Sequence, residues 1–368
     1  MFGTYRKEDV TVLLKDVTGL VTPMPTYERE KLIQNGVHYS AMLPVEYEPS
    51  AEYISIYEDA LNAFAPLTAQ ATANVAAKIL AYKGNNIVLV SLARAGTPVG
   101  ILIKRYLREF CGLDVPHYTL SIIRGIGIDK NAVNFILARH NAKDLVFIDG
   151  WTGKGAIKRQ LDDALRDYPK TEAVLAVLAD PAGVAELCGT REDFLIPSSC
   201  LNATVSGLLS RTFLRDDLIG KNDFHGAVFY KNLAEKDVTY QFIDKVASFF
   251  PAKTTCNHNG VQAANDNSAA VSRCDHNDNA CLLSGLAEVA ALCREFAVRD
   301  INLIKPGIGE ATRVLLRRVP RCVLVRNIDD VLYLGHIYRL AKEKSVPVVQ
   351  YPLQAYRACG IIAAMGDA

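Results

Sequence analysis

The sequence lacks a net charge of one sign and any long apolar run. Its 41 Lys and Arg residues stand against 40 Asp and Glu residues, so the formal net charge is +1. Such a balance creates no overall field that would attract nucleic acid or a membrane surface. No apolar run approaches the roughly 20 residues that a membrane-spanning helix needs, and residues 1–10 contain no signal-peptide core. We therefore expect a cytoplasmic protein without a membrane partner.

The cysteines do not indicate a disulfide framework. They number nine, which is odd, and they are scattered through a chain of 368 residues. A chain of that length can bury a sizeable core without cross-links. Free thiols in a reducing compartment therefore fit better than disulfides. The length allows two or three domains, and no internal repeat is visible.

One segment is poor in large apolar residues and marks the predicted division of the chain. Residues 254–280 are rich in Asn, Ala, Ser and Asp, a composition typical of a linker. We predict a first domain at 1–252, a flexible linker at 253–283 and a second domain at 284–368. From Gly285 onward, 12 Lys and Arg residues stand against 8 Asp and Glu residues, so the second domain is mildly basic.

Strands alternate with helices through the first domain. Apolar runs predict strands at 87–90, 116–124, 145–148 and 172–180, with helices after 98, over 129–139 and after 155. This alternation indicates an α/β fold with a parallel sheet and helices on both faces. Ligands bind outside the carboxyl ends of the strands in such sheets, so the loops 91–98, 149–155 and 180–183 are expected to converge there.

The stretch LVFIDGWTGKGAI, residues 145–157, predicts a buried strand, a short turn and a helix. Free N–H groups and the helix dipole at such a turn favour an anion. Thr152 adds a hydroxyl, Gly153 and Gly155 let the backbone come close, and Lys154 adds charge. The loop is not a Walker A motif, because Gly155 stands where Ser or Thr is required. We expect a phosphate here; an ordinary turn with glycines for geometry is the alternative.

The first domain resembles two groups of proteins. The order of strands and loops, with a strand that ends in Asp149 followed by Thr-Gly, resembles the type I phosphoribosyltransferases. Four motifs resemble the StiP-type, phosphoribosyltransferase-like proteins associated with tellurite-resistance stress operons: VHYSAMLPVEYEPSAEY, FIDGWTGKGAI, LNATVSGLLSRTFL and DFHGAVFY. The resemblance implies a type I phosphoribosyltransferase-like sheet with an N-terminal hood segment. It also implies transfer from phosphoribosyl pyrophosphate with Mg²⁺ to an unknown acceptor, with a homodimer as an option.

The resemblance also implies residue roles. Catalysis would use Asp149, Arg124 and Lys130, the last two by closing over the pyrophosphate. The phosphoribosyl donor would be bound by Ser91, Arg94, Ala95, Gly96, Asp149, Gly150, Trp151, Thr152, Gly153, Lys154 and Gly155. The acceptor would be bound by Asp180, Gly183, Ser206 and Arg211. The turn carries one acidic residue where two adjacent ones are usual, so a nucleotide- or RNA-binding regulator without catalysis is the alternative.

Two further chemistries stay open. The StiP family also carries a cysteine-protease label, and Cys200 with His225 is an available pair, although spacing cannot show proximity. A buried structural cysteine is the other interpretation of Cys200. Two Cys-x-His pairs in the linker could complete a zinc site, but the usual finger spacing is absent; the residues are Cys256, His258, Cys274, His276 and Cys281.

The second domain again alternates helices with strands. KPGIGEATRVLLRRVPRCVLV and VPVVQYPLQAYRACGII resemble the Pelota-type RNA-binding domain, which implies a small α-β-α sandwich that binds structured RNA. Gly309 stands where that family has Asn, so we expect phosphate contacts more than base reading. The expected RNA-binding residues are Lys305, Gly307, Glu310, Arg313 and Arg317. A docking domain with a solvated helix face is the alternative.

Overall fold

The computed structural model describes residues 2–251 and 284–363, apart from the side chains of Thr26, Glu30, Ser284 and Arg317. The predicted linker lies outside the described residues. The five Cys and His residues of the zinc alternative lie outside them as well. In the part that is described, no helix combines the length and hydropathy of a bilayer crossing.

The first domain is built on a largely parallel sheet. Its strands are β1 (Thr11–Val12), β3 (Val88–Ala93), β4 (His117–Ile123), β5 (Gly127–Ile128), β6 (Leu145–Trp151), β7 (Leu175–Ala179) and β8 (Leu187–Thr190); a separate short pair is β2 (Lys15–Asp16) with β9 (Gly226–Ala227). The order across the sheet is β1-β4-β3-β6-β7-β8, and β5 joins β4 antiparallel. The predicted α/β class with a parallel sheet is confirmed.

Helices cover both faces of this sheet. They are α1 (Thr26–Gln34), α2 (Ala51–Lys83), α3 (Gly96–Cys111), α4 (Lys130–Leu137), α5 (Ala156–Leu165) and α6 (Thr239–Ala247). Short 3-10 turns lie at Tyr39–Ala41, Ala142–Asp144, Pro197–Cys200, Ala203–Val205 and Lys231–Lys236. One face packs against α2, α3 and α6, and the other packs against α4 and α5. Alternate residues of each strand therefore enter opposite cores, which explains why the strands are apolar throughout.

The second domain is a four-stranded sheet with helices. Its elements are α7 (Ser284–Glu295), a 3-10 turn at Ile301–Leu303, β10 (Ile304–Pro306), α8 (Ile308–Arg317), β11 (Pro320–Val325), α9 (Val331–Glu343), β12 (Val348–Gln350) and β13 (Ala358–Ile362). The order is β10-β13-β11-β12, and β13 is antiparallel to both of its neighbours. The apolar faces of α8 and α9 join the larger core of the first domain.

The strands run further toward the site than the sequence predicts. β3 continues to Ala93, so Ser91 lies in a strand and not in a loop, and β6 continues to Trp151. Helix α2, with 33 residues, is the longest of the elements that the sequence prediction missed. Its many alanines blur the apolar periodicity, because Ala is common on both buried and exposed helix faces.

Candidate functional site

A cavity of about 370 Å³ opens at the carboxyl edge of the first sheet. The chain connects outward in opposite directions from the neighbouring strands β3 and β6. Such a switch point leaves a crevice outside the strand ends. The cavity wall combines the segment 151–158, Asp149 and Arg124 of the first domain with Lys305, Glu310 and Arg313 of the second.

The turn after β6 presents backbone donors to this cavity. Gly155 adopts φ +65° as the N-cap of α5. Within the described part of the chain, the backbone N–H groups of Gly153, Lys154 and Gly155 donate no hydrogen bond. These residues line the cavity at the start of α5, where the helix dipole places partial positive charge.

Thr152 has a structural task that the sequence did not predict. Its hydroxyl donates to the Asp180 carboxylate, and its backbone N–H donates to Ala179 O at 3.0 Å. The side chain that was expected to bind phosphate therefore ties β6 to the end of β7.

Lys154 crosses from the turn to the second domain, where its Nζ donates to Ile301 O at 2.7 Å. Burial lowers the pKa of Lys154 to about 8, and the charges of Lys305 and Arg124 act in the same direction. The positive charges around Lys154 therefore disfavour its protonated form, and a nearby anion would favour it.

Asp149 lies at the cavity near the end of β6, and its Oδ1 accepts the Gly150 N–H at 2.8 Å. Burial raises the pKa of Asp149 to about 6, although the Gly150 N–H and the Arg313 charge oppose that shift. The carboxyl group is consequently poised to change charge in mildly acidic solution.

The second domain closes one side of the cavity through Arg313. Its guanidinium lies 4.7 Å from the Trp151 ring centroid, and its Nη1 is 3.1 Å from the Glu310 carboxylate. Its Nε donates to Ser199 O at 3.0 Å, which fixes the helix α8 to the turn Pro197–Cys200. Trp151 therefore forms part of the contact between the domains.

The loop after β3 contributes less to the cavity than predicted. Ala95 lies on its wall. Ser91 is fully buried and donates to Gly96 O at 3.0 Å, while Arg94 donates to Asn202 Oδ1 at 3.2 Å. Gly96 allows α3 to lie against β6, because a Cβ there would overlap Ile148 O. Ser91, Arg94 and Gly96 thus organise the strand ends.

The structure separates the two cations that were predicted to close over a ligand. Arg124 lies at the cavity. Lys130 is the first residue of α4, and it forms an exposed ion pair with Asp167 at 2.7 Å. Asp129 caps α4 from inside by accepting the Ala132 N–H at 3.0 Å, and the next residue points outward. The predicted catalytic role of Lys130 is therefore corrected.

The predicted acceptor residues do not form one site. Asp180 is fully buried and accepts the N–H groups of Val184 and Ala185, so it shapes its own loop, in which Gly183 has φ +73°. Ser206 donates to Asn202 O at 2.7 Å. Arg211 lies 4.4 Å from the Tyr39 ring centroid. Each of these side chains thus has partners within the protein, and acceptor binding stays a prediction.

Cys200 and His225 lie on different elements. Cys200 ends the turn Pro197–Cys200, is fully buried and belongs to the core that includes Tyr57. His225 precedes β9, and its Nδ1 is 2.9 Å from Ser121 Oγ. Its backbone N–H donates to Asp129 at 2.6 Å. Burial lowers the pKa of the His225 imidazole, which favours its neutral form.

The predicted RNA-binding residues face the first domain. Lys305, Glu310 and Arg313 line the cavity. Asp193 approaches Gly307 and accepts the Ile308 N–H at 2.9 Å, so a carboxylate of the first domain occupies the start of α8. Arg317 ends α8, and its side chain lies outside the described part. RNA binding stays a prediction.

The contact between the domains is what sequence reasoning missed. Asp193 also accepts the Arg357 N–H at 2.9 Å, and Tyr356 donates to Gly153 O at 2.7 Å. The sequence analysis did not single out Asp193, Arg357 or Tyr356. No local sequence pattern could have predicted these contacts. The available clue was the cluster of cations after 304, which the sequence assigned to RNA.

Metal binding has no preformed site among the described residues. No group of three or more His, Cys, Asp or Glu side chains in that part of the chain is arranged to hold a metal ion. The predicted Mg²⁺ belonged to the phosphoribosyl donor, and it stays a prediction.

Comparisons with known proteins identify both parts of the chain. A family model described as "Tellurite-like stress resistance cysteine protease StiP" matches residues 3–247, and a PELOTA RNA binding domain matches residues 283–364. A protein of Acinetobacter baylyi named "Cysteine protease StiP" is 36% identical over 99% of this chain and 94% of its own length. A solved structure, a probable N-succinyldiaminopimelate aminotransferase of Thermus thermophilus, is 10% identical and covers 66% of this chain and 68% of its own. Its TM-score is 0.20, too low to support an argument.

These findings overturn the predicted reaction. Both the family model and the relative name a cysteine protease. The prediction of a phosphoribosyltransferase, a glycosyltransferase acting on phosphoribosyl pyrophosphate, is therefore wrong. It rested on a turn and a carboxylate at a sheet edge, and features of that kind recur on one fold with many different reactions.

The predicted family and the predicted second domain are confirmed. The StiP model covers well over half of the chain, and the Acinetobacter protein aligns with nearly all of it. The chain therefore belongs to the StiP family and carries a Pelota RNA-binding domain in its C-terminal part.

Proposed function

We propose that this protein is a cysteine protease. The support is its 36% identity, over 99% of the chain, with a curated protein of that name. The activity belongs to the region that the StiP model matches, residues 3–247, which contains three of the nine cysteines: Cys111, Cys188 and Cys200. The nucleophile is therefore sought among these three.

Position relative to the ends of the strands favours Cys200, and this is the observation that carries the assignment. Cys111 ends α3, a helix of 16 residues that leads away from the strand ends. Cys188 lies inside β8, where its carbonyl accepts the Lys78 Nζ at 2.8 Å. Cys200 lies between Ser199, which binds Arg313 at the cavity wall, and Asn202, which binds Arg94 at the end of β3. It is thus the cysteine at the edge where sites form in this fold class.

Among the four histidines of the matched region, His225 is our proposed base. Both ring nitrogens of His117 lie 2.8 Å from partners, Ser91 Oγ and Asp9 O, and burial lowers its pKa to about 4. His140 bonds Tyr118. His225 lies beside Ser121 and Asp129, and its lowered pKa leaves it neutral and able to take a proton. His38, whose Nε2 is 3.1 Å from Arg124 O, is the alternative base.

The chemistry would follow the general course for a thiol nucleophile. The Cys200 thiol passes its proton to the imidazole, and its sulfur bonds the peptide carbonyl carbon. The C–N bond then breaks as the imidazolium returns that proton to the leaving amine, and water releases the acyl group. Cys200 is fully buried here, so substrate entry requires the packing around it to loosen, and the contact of Arg313 with Ser199 O is one part of that packing.

The test is hydrolysis of fluorescent casein by the full chain. Cys200→Ala should lower the rate by about 10³-fold or more, as loss of a catalytic nucleophile does. Cys111→Ala is the matched control and should keep the rate of the parent. His225→Ala and His38→Ala, assayed in parallel, identify the base. Arg313→Ala should raise the rate by opening the contact at Ser199.

Full activity in Cys200→Ala would remove Cys200 from the mechanism. If the rate of Cys111→Ala or Cys188→Ala collapses while the variant keeps its fold by circular dichroism, the nucleophile is that cysteine. If no cysteine variant affects hydrolysis, the protein is not a cysteine protease.

The finer fold assignment is also a proposal, and it concerns the fold alone. The strand order β4-β3-β6-β7-β8 and the strand–turn–helix unit at 145–165 support a sheet of the type I phosphoribosyltransferase kind. The proteolytic function does not depend on it, because one fold hosts unrelated reactions.

A further inference from the structure

A second cavity lies between the long helix α2 of the first domain and helix α9 of the second. Its volume is about 220 Å³, and it is lined by residues of α2 between 56 and 64 and by residues of α9 between 332 and 339. Beside it an exposed ion pair joins the two helices, with Arg339 Nη1 at 3.2 Å from Asp59 Oδ2. No described residue lines both this cavity and the one at the edge of the first sheet.

Small residues on both helices leave this space open. Ala60 and Ala63 of α2 line the cavity opposite Gly335 of α9. A Cβ at Gly335 would meet only Val331 of its own helix, at 3.5 Å, so no atom of α2 takes the place of a side chain there. Packed helices normally leave no gap of this size, because protein interiors are close-packed. Three further wall residues are apolar and at most 5% exposed: Ile56, Phe64 and Leu195.

His336 brings a hydrogen-bond acceptor into this largely apolar wall. The Thr312 hydroxyl lies 2.8 Å from Ile308 O and 2.8 Å from His336 Nε2. The hydroxyl has one proton and Ile308 O can only accept, so both contacts are hydrogen bonds only if the hydroxyl donates to Ile308 O and Nε2 donates to the hydroxyl. Burial lowers the pKa of His336 to about 4, so the ring is neutral and Nδ1 carries a lone pair.

The Nδ1 atom of His336 has no hydrogen-bond partner among the described residues. Removing an acceptor from water without giving it a partner costs free energy. Because His336 lines the cavity, a molecule in the cavity can supply that partner. Such a molecule must offer an N–H or O–H donor.

Size and polarity restrict the rest of the ligand. The volume lies below the roughly 300–1,000 Å³ of sites for drug-sized molecules. The space is a gap between two helix surfaces with the Phe64 ring on its wall, which suits a flat aromatic ring. The charges of Asp59 and Arg339 are already paired with each other, so the wall offers no unpaired charge to an ion.

We propose that the cavity between α2 and α9 binds a small neutral aromatic molecule through one hydrogen bond to His336 Nδ1. Indole and phenol have this chemistry. One wall belongs to each domain, so the bound molecule contacts both and stabilises the docked arrangement of the Pelota domain. This inference goes beyond proteolysis and uses no residue of the proposed catalytic pair.

Two ligands of similar shape test the hydrogen bond. The full chain is titrated at pH 7 with indole, with phenol and with 1-methylindole, which lacks the N–H donor, by isothermal titration calorimetry. We expect saturable binding of indole and about tenfold weaker binding of 1-methylindole, because the buried acceptor then has no partner. His336→Phe keeps an aromatic ring and removes the acceptor, so the Kd values of indole and 1-methylindole should become nearly equal.

A larger side chain in the cavity tests the position of the site. Gly335→Leu places an apolar side chain in the cavity and should abolish indole binding. Ala63→Leu fills the cavity from an exposed position of α2 and serves if Gly335→Leu does not fold. Lys342→Leu, at an exposed position of α9, is the matched control and should keep the Kd of the parent. Indole should also raise the midpoint of thermal unfolding of the parent and not that of Gly335→Leu.

Each other outcome is decisive. No saturable binding of indole or phenol overturns the proposal. Equal Kd values of indole and 1-methylindole for the parent show that Nδ1 makes no bond to the ligand, and they overturn the assigned chemistry. Unchanged indole binding in Gly335→Leu and Ala63→Leu places the ligand elsewhere and also overturns the proposal. None of these measurements uses hydrolysis, so a failure of the proposed protease activity would leave them unaffected.

Discussion

At the scale of single residues, burial sets the chemistry of the acidic groups. Burial raises the pKa of Asp149 to about 6, and it does the same for Asp193 although two backbone N–H groups bond that carboxylate. Each charged carboxylate is thus less favourable in the folded chain than in water. At neutral pH the burial of each of these carboxylates therefore costs stability.

Asp149→Asn should therefore flatten the pH dependence of stability. The pKa of Asp149 is higher in the folded chain than the usual 3.8. Protonated Asp149 contributes fully to the free energy of unfolding below pH 3.8. This contribution is lost as pH rises through about 6, because the buried carboxyl group becomes charged. At pH 7.5 the variant should be more stable than the parent by about 1–3 kcal/mol, and at pH 4 the difference should nearly vanish. Urea unfolding at both pH values measures this.

Asp216→Asn, at an exposed position, is the control and should match the parent at both pH values. If Asp149→Asn instead loses stability at pH 7.5, the ionised carboxylate is bound by groups that outweigh its burial.

At the scale of elements, the close contact between α3 and β6 shapes the site. Gly96 begins α3, and a Cβ at that position would overlap the carbonyl of Ile148. The contact brings the loop after β3 next to Asp149 and Trp151. A backbone contact of this kind cannot relax through a side-chain rotation.

Gly96→Ala should lower the free energy of unfolding by about 2–4 kcal/mol, because the helix must move away from the sheet. Gly335→Ala, in the middle of α9, is the matched control, since its Cβ would meet only Val331 at an ordinary 3.5 Å. That change should be neutral or stabilising by up to about 1 kcal/mol, as alanine favours helix. Equal effects of the two changes would show that the approach of α3 to β6 is adjustable.

At the scale of the whole molecule, the Pelota domain presents its predicted RNA-binding end to the first domain. Asp193 occupies the start of α8, and Arg313 bonds Ser199. The ion pair between Arg357 and Glu192, at 3.2 Å, adds to the same contact. RNA binding at this end of the domain would require these contacts to open.

The intact chain should bind a kink-turn RNA weakly, and Asp193→Lys should bind it at least about tenfold more tightly. The lysine repels the positive N-terminus of α8 and releases the domain. Filter binding over a salt series measures the change, and the log–log slope should steepen by roughly 0.9 for each additional phosphate that the released domain neutralises. Asp216→Lys makes the same charge change at an exposed site and should leave RNA binding near that of the parent.

Tight binding by the intact chain, with no tighter binding by Asp193→Lys, would show that RNA uses another face of the domain. No binding by either protein would leave the Pelota domain as a docking module.

Much of the local structure around the site could be predicted from the amino-acid sequence. The apolar runs at 145–148 and 172–180 specified strands because burial on both faces requires continuous apolar residues. The glycines after Thr152 specified the turn that begins α5, since Gly155 adopts a positive φ. Both domain families could also be predicted, because the residues of each motif are contiguous in the chain.

Which of these parts come into contact could be seen from the three-dimensional fold alone. It engaged Thr152 with Asp180, placed Lys130 at the surface, brought Lys305 and Arg313 to the cavity and buried Cys200. Periodicity and motif spacing report how a segment is buried, not which distant segment buries it. Contacts between residues far apart in the chain, such as Arg313 with Ser199, depend on packing of the whole chain and leave no local signal.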